Sequence, residues 1–274
     1  MQNFKIADHE DSLLPDGKWA LVWNDEFDGT ELDRTKWDYR LSMMGKVHPA
    51  WTDKGVHLDG KGNVVFDILL EDGRPVSSQL QTGYNFMDEP VQETTFGGDH
   101  LQWQIGKLKK NLFTHTYGYY ECRCRLQQRP EGWWSAFWMQ SPVIGASLDP
   151  AETGSELDIM ECFSKGTVVS HNAFTGGYGL DCKRAHAGGV NDLDQTVFHR
   201  FGMLWDHTGY TFYIDGVEDG HIAEYISHRP EFILISTEVK GYRSKDHLPV
   251  KEAFDIIGKD AFIVDYVRVF DKLN

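Results

Sequence analysis

The chain has 274 residues, 27 of them Lys or Arg and 42 Asp or Glu, giving a formal charge of −15. That excess opposes nucleic acid binding, which depends on Lys and Arg neutralising phosphates, and no apolar run approaches the roughly 20 residues of a membrane-spanning helix. Apolar residues at 41% and charged residues at 25% describe a folded globular chain, and nine Trp, eleven Tyr and sixteen Phe beside so many carboxylates suggest a flat, neutral, ring-shaped ligand.

In chain order, the first ten residues hold neither a basic n-region nor an apolar h-region. No secretory signal is therefore legible, and either an internal location or a removed signal is expected. Residues 31–37 carry the first weak helical pattern. Residues 119–126 alternate cleanly, with Glu121, Arg123 and Arg125 on one face and Cys122, Cys124 and Leu126 on the other. Together with Cys162 and Cys182 these cysteines lack zinc-type spacing and read as small buried hydrophobes. Residues 201–205 and 210–216, joined by Asp206-His207-Thr208-Gly209, predict a hairpin. A second short helix is expected near 251–257, and the β-branched and aromatic run 261–270 predicts a terminal strand. With no repeat, low-complexity tract or linker, residues 1–274 read as one domain. Many short strands in a domain of this size predict an all-β fold, a two-sheet β-sandwich or jelly roll with a ligand on its concave sheet.

The segment Gly154-Ser155-Glu156-Leu157-Asp158-Ile159-Met160-Glu161-Cys162-Phe163 carries the chemistry. On a strand, Glu156 and Asp158 share a face while Leu157 and Ile159 enter the apolar layer. Strict alternation would bury Glu161, which is costly for a charge. A β-bulge at Ile159-Met160 resets the phase and returns Glu161 to the side of the other two acids. Glu156 and Glu161 then lie about 13–14 Å apart at Cα. Side chains leaning together would bring the carboxyls to about 5–6 Å, the separation of a retaining glycosidase. Asp158 between them shares a proton and raises the pKa of the carboxyl that must stay protonated. The preceding strand, residues 132–140, places Trp134, Ala136 and Trp138 on one face and Trp133, Ser135, Phe137 and Met139 on the other. One aromatic set is expected to line the ligand face.

These residues resemble glycoside hydrolase family 16. Glu156-Leu157-Asp158-Ile159-Met160-Glu161 is similar to that family's E-x-D-x-x-E strand in its bulged form, found in laminarinases, agarases, porphyranases and κ-carrageenases. The stretches 132–139, 21–33, 198–202, 213–216 and 264–269 resemble further family segments in the right order. The resemblance implies a jelly roll with an endo-acting, retaining mechanism. By position Glu156 would be the nucleophile, Glu161 the acid and then base, and Asp158 the residue that holds and tunes Glu156. Trp134 and Trp138 would be sugar platforms, His171 a polar substrate contact, and Trp51 a further substrate-binding residue. No cofactor is required, but many relatives carry a structural calcium between the chain ends, which would fall near Glu26 and Asp265.

Two laminarinase features are missing: an Asn-x-Glu-x-Gln-Tyr-like segment, replaced by residues 41–51, and an Ala-Val-Gly-Gly ending to 232–239. These differences lean towards a β-galactan of agar or porphyran type, with Arg123, Arg125 and Arg184 as candidates for one sulfate pocket, and leave a β-1,3(4)-glucanase as the alternative. A transglycosylase would use the same residues, whereas a non-catalytic carbohydrate-binding jelly roll would not need both glutamates. The expected partner is a polysaccharide or oligosaccharide, bound by a monomer without membrane or nucleic acid. A polymer too large to cross membranes places the protein outside the cell, on its surface or in the periplasm, with a cytoplasmic role on imported oligosaccharides left open.

Overall fold

The computed structural model describes residues 1–88, 105–128, 131–164 and 168–274. Two antiparallel sheets of seven and eight strands dominate it. The first runs in the order Lys183–Val190, Val168–Thr175, Glu156–Ser164, Trp133–Gln140, Phe232–Val239, Gln79–Gln81 and Asp38–Tyr39. The second runs Val217–Ile222, Gly209–Ile214, His199–Asp206, Gly118–Arg125, Ala261–Leu273, Val64–Asp67 and Val56–Leu58, with Lys18–Asp25 also paired to the long C-terminal strand. This is the sandwich the alternation predicts.

The core lies between the sheets. Phe137, Met139, Leu157, Ile159 and Ile235 of the first sheet meet Cys122, Cys124, Phe201, Met203 and Val267 of the second. Each large apolar side chain buried here contributes about 1.5–3 kcal/mol relative to exposure. Cys122, Cys124 and Cys162 are free and buried, as small core hydrophobes would be, while Cys182 is partly exposed. The predicted hairpin closes in register from Phe201↔Ile214 to Asp206↔Gly209.

Two local expectations differ. Residues 31–37 form only turns, since a buried Trp37 anchors the segment through its indole N–H to Asp25 (2.8 Å) instead of a helical face. Residues Lys251–Phe254 form a 3-10 turn, whereas Pro150–Thr153 forms a short α-helix capped by Asp149, which accepts from the Ala151 N–H. The outward face of Gly118–Arg125 is also not solvated. The N-terminal ribbon Gln2–Phe4 with Ser12–Leu14 covers it, so Glu121 is fully buried and accepts from the Leu13 N–H (3.0 Å) and the Tyr266 hydroxyl (2.8 Å).

Candidate active site

The cleft is built on the acidic strand Glu156–Ser164. Its entry is fixed by Gly154 at φ 77°, where a Cβ would sit 2.3 Å from that of Ser141. The next residue, Ser155, donates its backbone N–H to the buried Glu231 carboxyl (2.9 Å) and its hydroxyl to the Tyr225 carbonyl (2.8 Å). Against Trp133–Gln140 the register runs Gln140↔Glu156 and Trp138↔Asp158, then shifts to Phe137↔Met160 and Ala136↔Glu161. Ile159 is the extra residue. Ile159 and Met160 both enter the core, and Glu161 emerges beside Glu156 and Asp158 on the cleft wall. The bulge places the three acids together as the alternation requires.

Their surroundings push the three carboxyls in different degrees. Glu156 is raised by burial, opposed by a hydrogen bond from the Tyr178 hydroxyl to Oε2 (2.5 Å) and by the charges of Arg243 and Arg40. Gln140 also reaches Glu156 Oε2 (3.4 Å) and donates to Tyr178. Asp158 is held well above the carboxylate range by burial first and by Glu161 and Glu156 next, and its Oδ2 has no partner. Glu161 is pushed up to about 7, by burial and then by Glu156, with Arg184 and Arg243 pulling back. Asn172 Nδ2 (2.9 Å) and the Ser170 hydroxyl (3.4 Å) donate to its Oε2. Clustered acids in a shielded cleft thus leave one carboxyl poised near neutrality beside one kept protonated.

Trp134 and Trp138 both line this cleft, as their shared face predicts, yet in unequal settings. Trp138 is buried, donates its indole N–H to Ser236 (3.1 Å), and carries the Arg40 guanidinium 5.2 Å from its ring centroid. Arg40 is anchored in turn by Asp88. Trp134 is only half-buried, with Arg243 at 4.8 Å. Trp134 leaves part of its ring open to the cleft, and Trp138 is a clamped wall.

Other expected contacts lie elsewhere. His171 points away from the cleft: it is fully buried between the sheets, stacked on Phe212 at 4.6 Å, with Nδ1 2.6 Å from the Ile159 carbonyl and Nε2 3.1 Å from Asp219. Alternation explains this, because Ser170, Asn172 and Phe174 take the cleft side of that strand. Trp51 belongs to a buried satellite cluster and stacks on His48 at 4.2 Å; His48, not Trp51, reaches the cleft. Arg123 and Arg125 sit on the other sheet near Asp265 (2.6 Å) and Asp260 (3.9 Å), so they form no sulfate pocket in the cleft.

The residues suggested for calcium do not fit it. Arg268 holds both oxygens of Glu26 (2.9 and 2.7 Å), and Asp265 is paired with Arg123. Guanidinium groups thus occupy the oxygens a calcium ion would need. Among the described residues no group of three or more His, Cys, Asp or Glu is arranged to hold a metal.

Tyr178, Gln140, Asn172, Arg40, His48, Glu238 and Arg243 also build the site, although no sequence motif singles them out. The phase of Val168–Thr175 would have found Asn172, and the Gly176-Gly177 turn, with φ of 80° and 79°, marks the bend that delivers Tyr178.

A two-sheet β-sandwich with paired glutamates on one cleft wall is an arrangement that glycosidases use. The chain belongs to glycosyl hydrolases family 16, whose family model matches residues 78–228. It is 26% identical over 206 residues to glucan endo-1,3-beta-glucosidase A1 of Niallia circulans, covering 72% of this chain and 28% of that protein. It is also 26% identical over 190 residues to endo-1,3-1,4-beta-glycanase EglC of Rhizobium meliloti (strain 1021), covering 66% and 36%. The chain therefore spans about a third of the length of these curated relatives. Among solved structures, the fold is similar to the laminarinase from Rhodothermus marinus with a TM-score of 0.66 at 22% identity, over 94% of this chain and 99% of that one.

Proposed function

We propose that the protein is a retaining endo-β-glucanase that cuts β-1,3 or mixed β-1,3-1,4 linkages. The galactan reading is not supported: the relatives above carry the names of glucanases and glycanases acting on 1,3 and 1,3-1,4 linkages. The observation that carries the mechanism is the bulged strand itself, which sets Glu156 and a near-neutral Glu161 on one cleft wall.

In the first step Glu161 gives its proton to the glycosidic oxygen as a carboxylate oxygen of Glu156 attacks the anomeric carbon. The bond to the leaving oxygen breaks, and its electrons stay with the now protonated leaving group. A glycosyl ester on Glu156 results. Glu161, now a carboxylate, takes a proton from water, whose oxygen attacks the same carbon and releases Glu156 with retained configuration. Asp158, protonated beside Glu156, donates a hydrogen bond as negative charge returns to that carboxylate. Tyr178 keeps Glu156 oriented. Trp134 supports a sugar ring, and the substrate is a polymer encountered outside the cytoplasm.

The test is reducing-sugar release and viscosity on laminarin, mixed-linkage glucan, agarose, porphyran and carrageenan. A viscosity loss outpacing reducing-sugar release on one of the glucans is expected. Activity confined to the galactans would overturn the substrate reading. Glu156→Ser should bind the polymer without turnover, and unchanged turnover would remove Glu156 as nucleophile.

A further inference from the structure

Asn172 is fully buried, and its amide has no freedom to flip. Its Oδ1 accepts from three donors on the edge strand Lys183–Val190: Arg184 Nε (2.9 Å), Arg184 Nη2 (2.5 Å) and His186 Nδ1 (3.1 Å). A guanidinium has no acceptor to offer, so the atom facing it must be the oxygen. The NH2 group is therefore turned inward, where it donates to Glu161 Oε2 (2.9 Å) and reaches Ser170 Oγ (3.3 Å). Arg184 itself is exposed on the outermost strand of the sheet, with its guanidinium 5.6 Å from the Phe174 ring centroid.

We propose that Arg184 is a positioning residue for Glu161, acting through Asn172: its planar fork fixes the amide whose N–H holds the Glu161 carboxyl in place. This rests on the reading of Glu161 as acid and base. The fork does two separable things. Its charge favours the ionised form of Glu161, and the N–H it orients does so through its hydrogen bond to Oε2. Its two parallel N–H groups fix Asn172 geometrically, which an ammonium would not do. The other titratable or charged groups facing Glu161 stay constant when Arg184 changes. These are Glu156 and Asp158 on its own strand, Glu238 on the strand Phe232–Val239, Arg243 just beyond it, and His186 beside Arg184.

The sign follows. Without Arg184 the Glu161 proton is held more tightly, so the acid stays protonated to higher pH. In Arg184→Met, the alkaline limb of kcat/KM against pH should move up by about half a unit to one unit. Turnover at the optimum should fall about tenfold, since the base of the second step is misplaced. Arg184→Lys keeps a charge but not the fork, so it should leave the limb near its wild-type position and recover only part of kcat. Because the side chain is exposed, both variants should melt within a few degrees of the wild type. The profiles are measured on the active glucan and on an aryl glycoside whose leaving group needs no proton.

The two readings fail differently. If Glu161→Ala retains an alkaline limb and full activity on the glucan, Glu161 is not the acid, and the mechanism falls. If Glu161→Ala shows the loss expected of an acid, selective for the glucan over the aryl glycoside, and Arg184→Met leaves the limb and kcat unmoved, the positioning role of Arg184 falls alone.

Discussion

The hydroxyl of Tyr178 lies 2.5 Å from Oε2 of Glu156 and donates to it, while Gln140 donates to the same hydroxyl from the neighbouring strand. A loop residue thus completes the setting of a strand residue 22 positions earlier. The phenol opposes the burial that raises Glu156 and keeps it available as a carboxylate. In Tyr178→Phe that donor is lost, so Glu156 ionises at higher pH. The acid limb of kcat/KM should move up, and activity at the optimum should fall by about ten- to a hundredfold, the effect of losing a charge-assisted hydrogen bond of about 1.5–3 kcal/mol. A pH profile with an unmoved acid limb would remove Tyr178 from the setting of the proposed nucleophile.

The two cleft tryptophans should separate in their effects. Trp134→Ala removes a half-exposed platform, so KM should rise about tenfold, equivalent to roughly 1.4 kcal/mol of binding, with a small change in Tm. Trp138→Ala empties a buried site and releases Arg40 from one ring, and should cost about 3–5 kcal/mol of stability. Thermal melts paired with KM on one glucan distinguish them; equal melting temperatures would contradict the clamped geometry of Trp138.

His171 supports the bulge from below, since its Nδ1 meets the carbonyl of the extra residue Ile159. His171→Ala should lower Tm and kcat together, because the bulge that aims Glu161 loses its partner and a cavity opens beside Phe212. Its KM should stay near the wild-type value, as the ring does not reach the cleft. A selective rise in KM with normal stability would place the imidazole on the substrate instead.

Buried Glu231 sets a pH dependence of stability. Burial pushes its carboxyl up to about 8, so the native state holds a proton that the unfolded chain releases near the ordinary glutamate value. Stability from this group is complete below about pH 4.5 and is lost as the pH rises through about 8. Glu161, raised to about 7, acts in the same direction. Tm should therefore fall by several degrees between pH 5.5 and 8.5. Glu231→Gln, which stays neutral and keeps an acceptor for the Ser155 N–H, should flatten that slope. An equally steep slope in the variant would show that Glu231 does not hold its proton.

The sequence by itself determined what a period of two can encode. The faces of Trp134 and Trp138, the core placement of Cys122 and Cys124, and the phase reset at Ile159-Met160 all follow from alternation within one strand and the cost of burying a charge. Even His171 was readable in this way, because its neighbours Ser170 and Asn172 share the opposite phase. What only the tertiary structure decided are pairings between distant segments. Arg268 claims Glu26 across 242 positions, the N-terminal ribbon buries Glu121, and Arg184 fixes Asn172 from the next strand. Such contacts depend on which strands are neighbours and in what register. A local pattern fixes the side a residue faces, while its partner on that side is set by the packing of the whole sandwich.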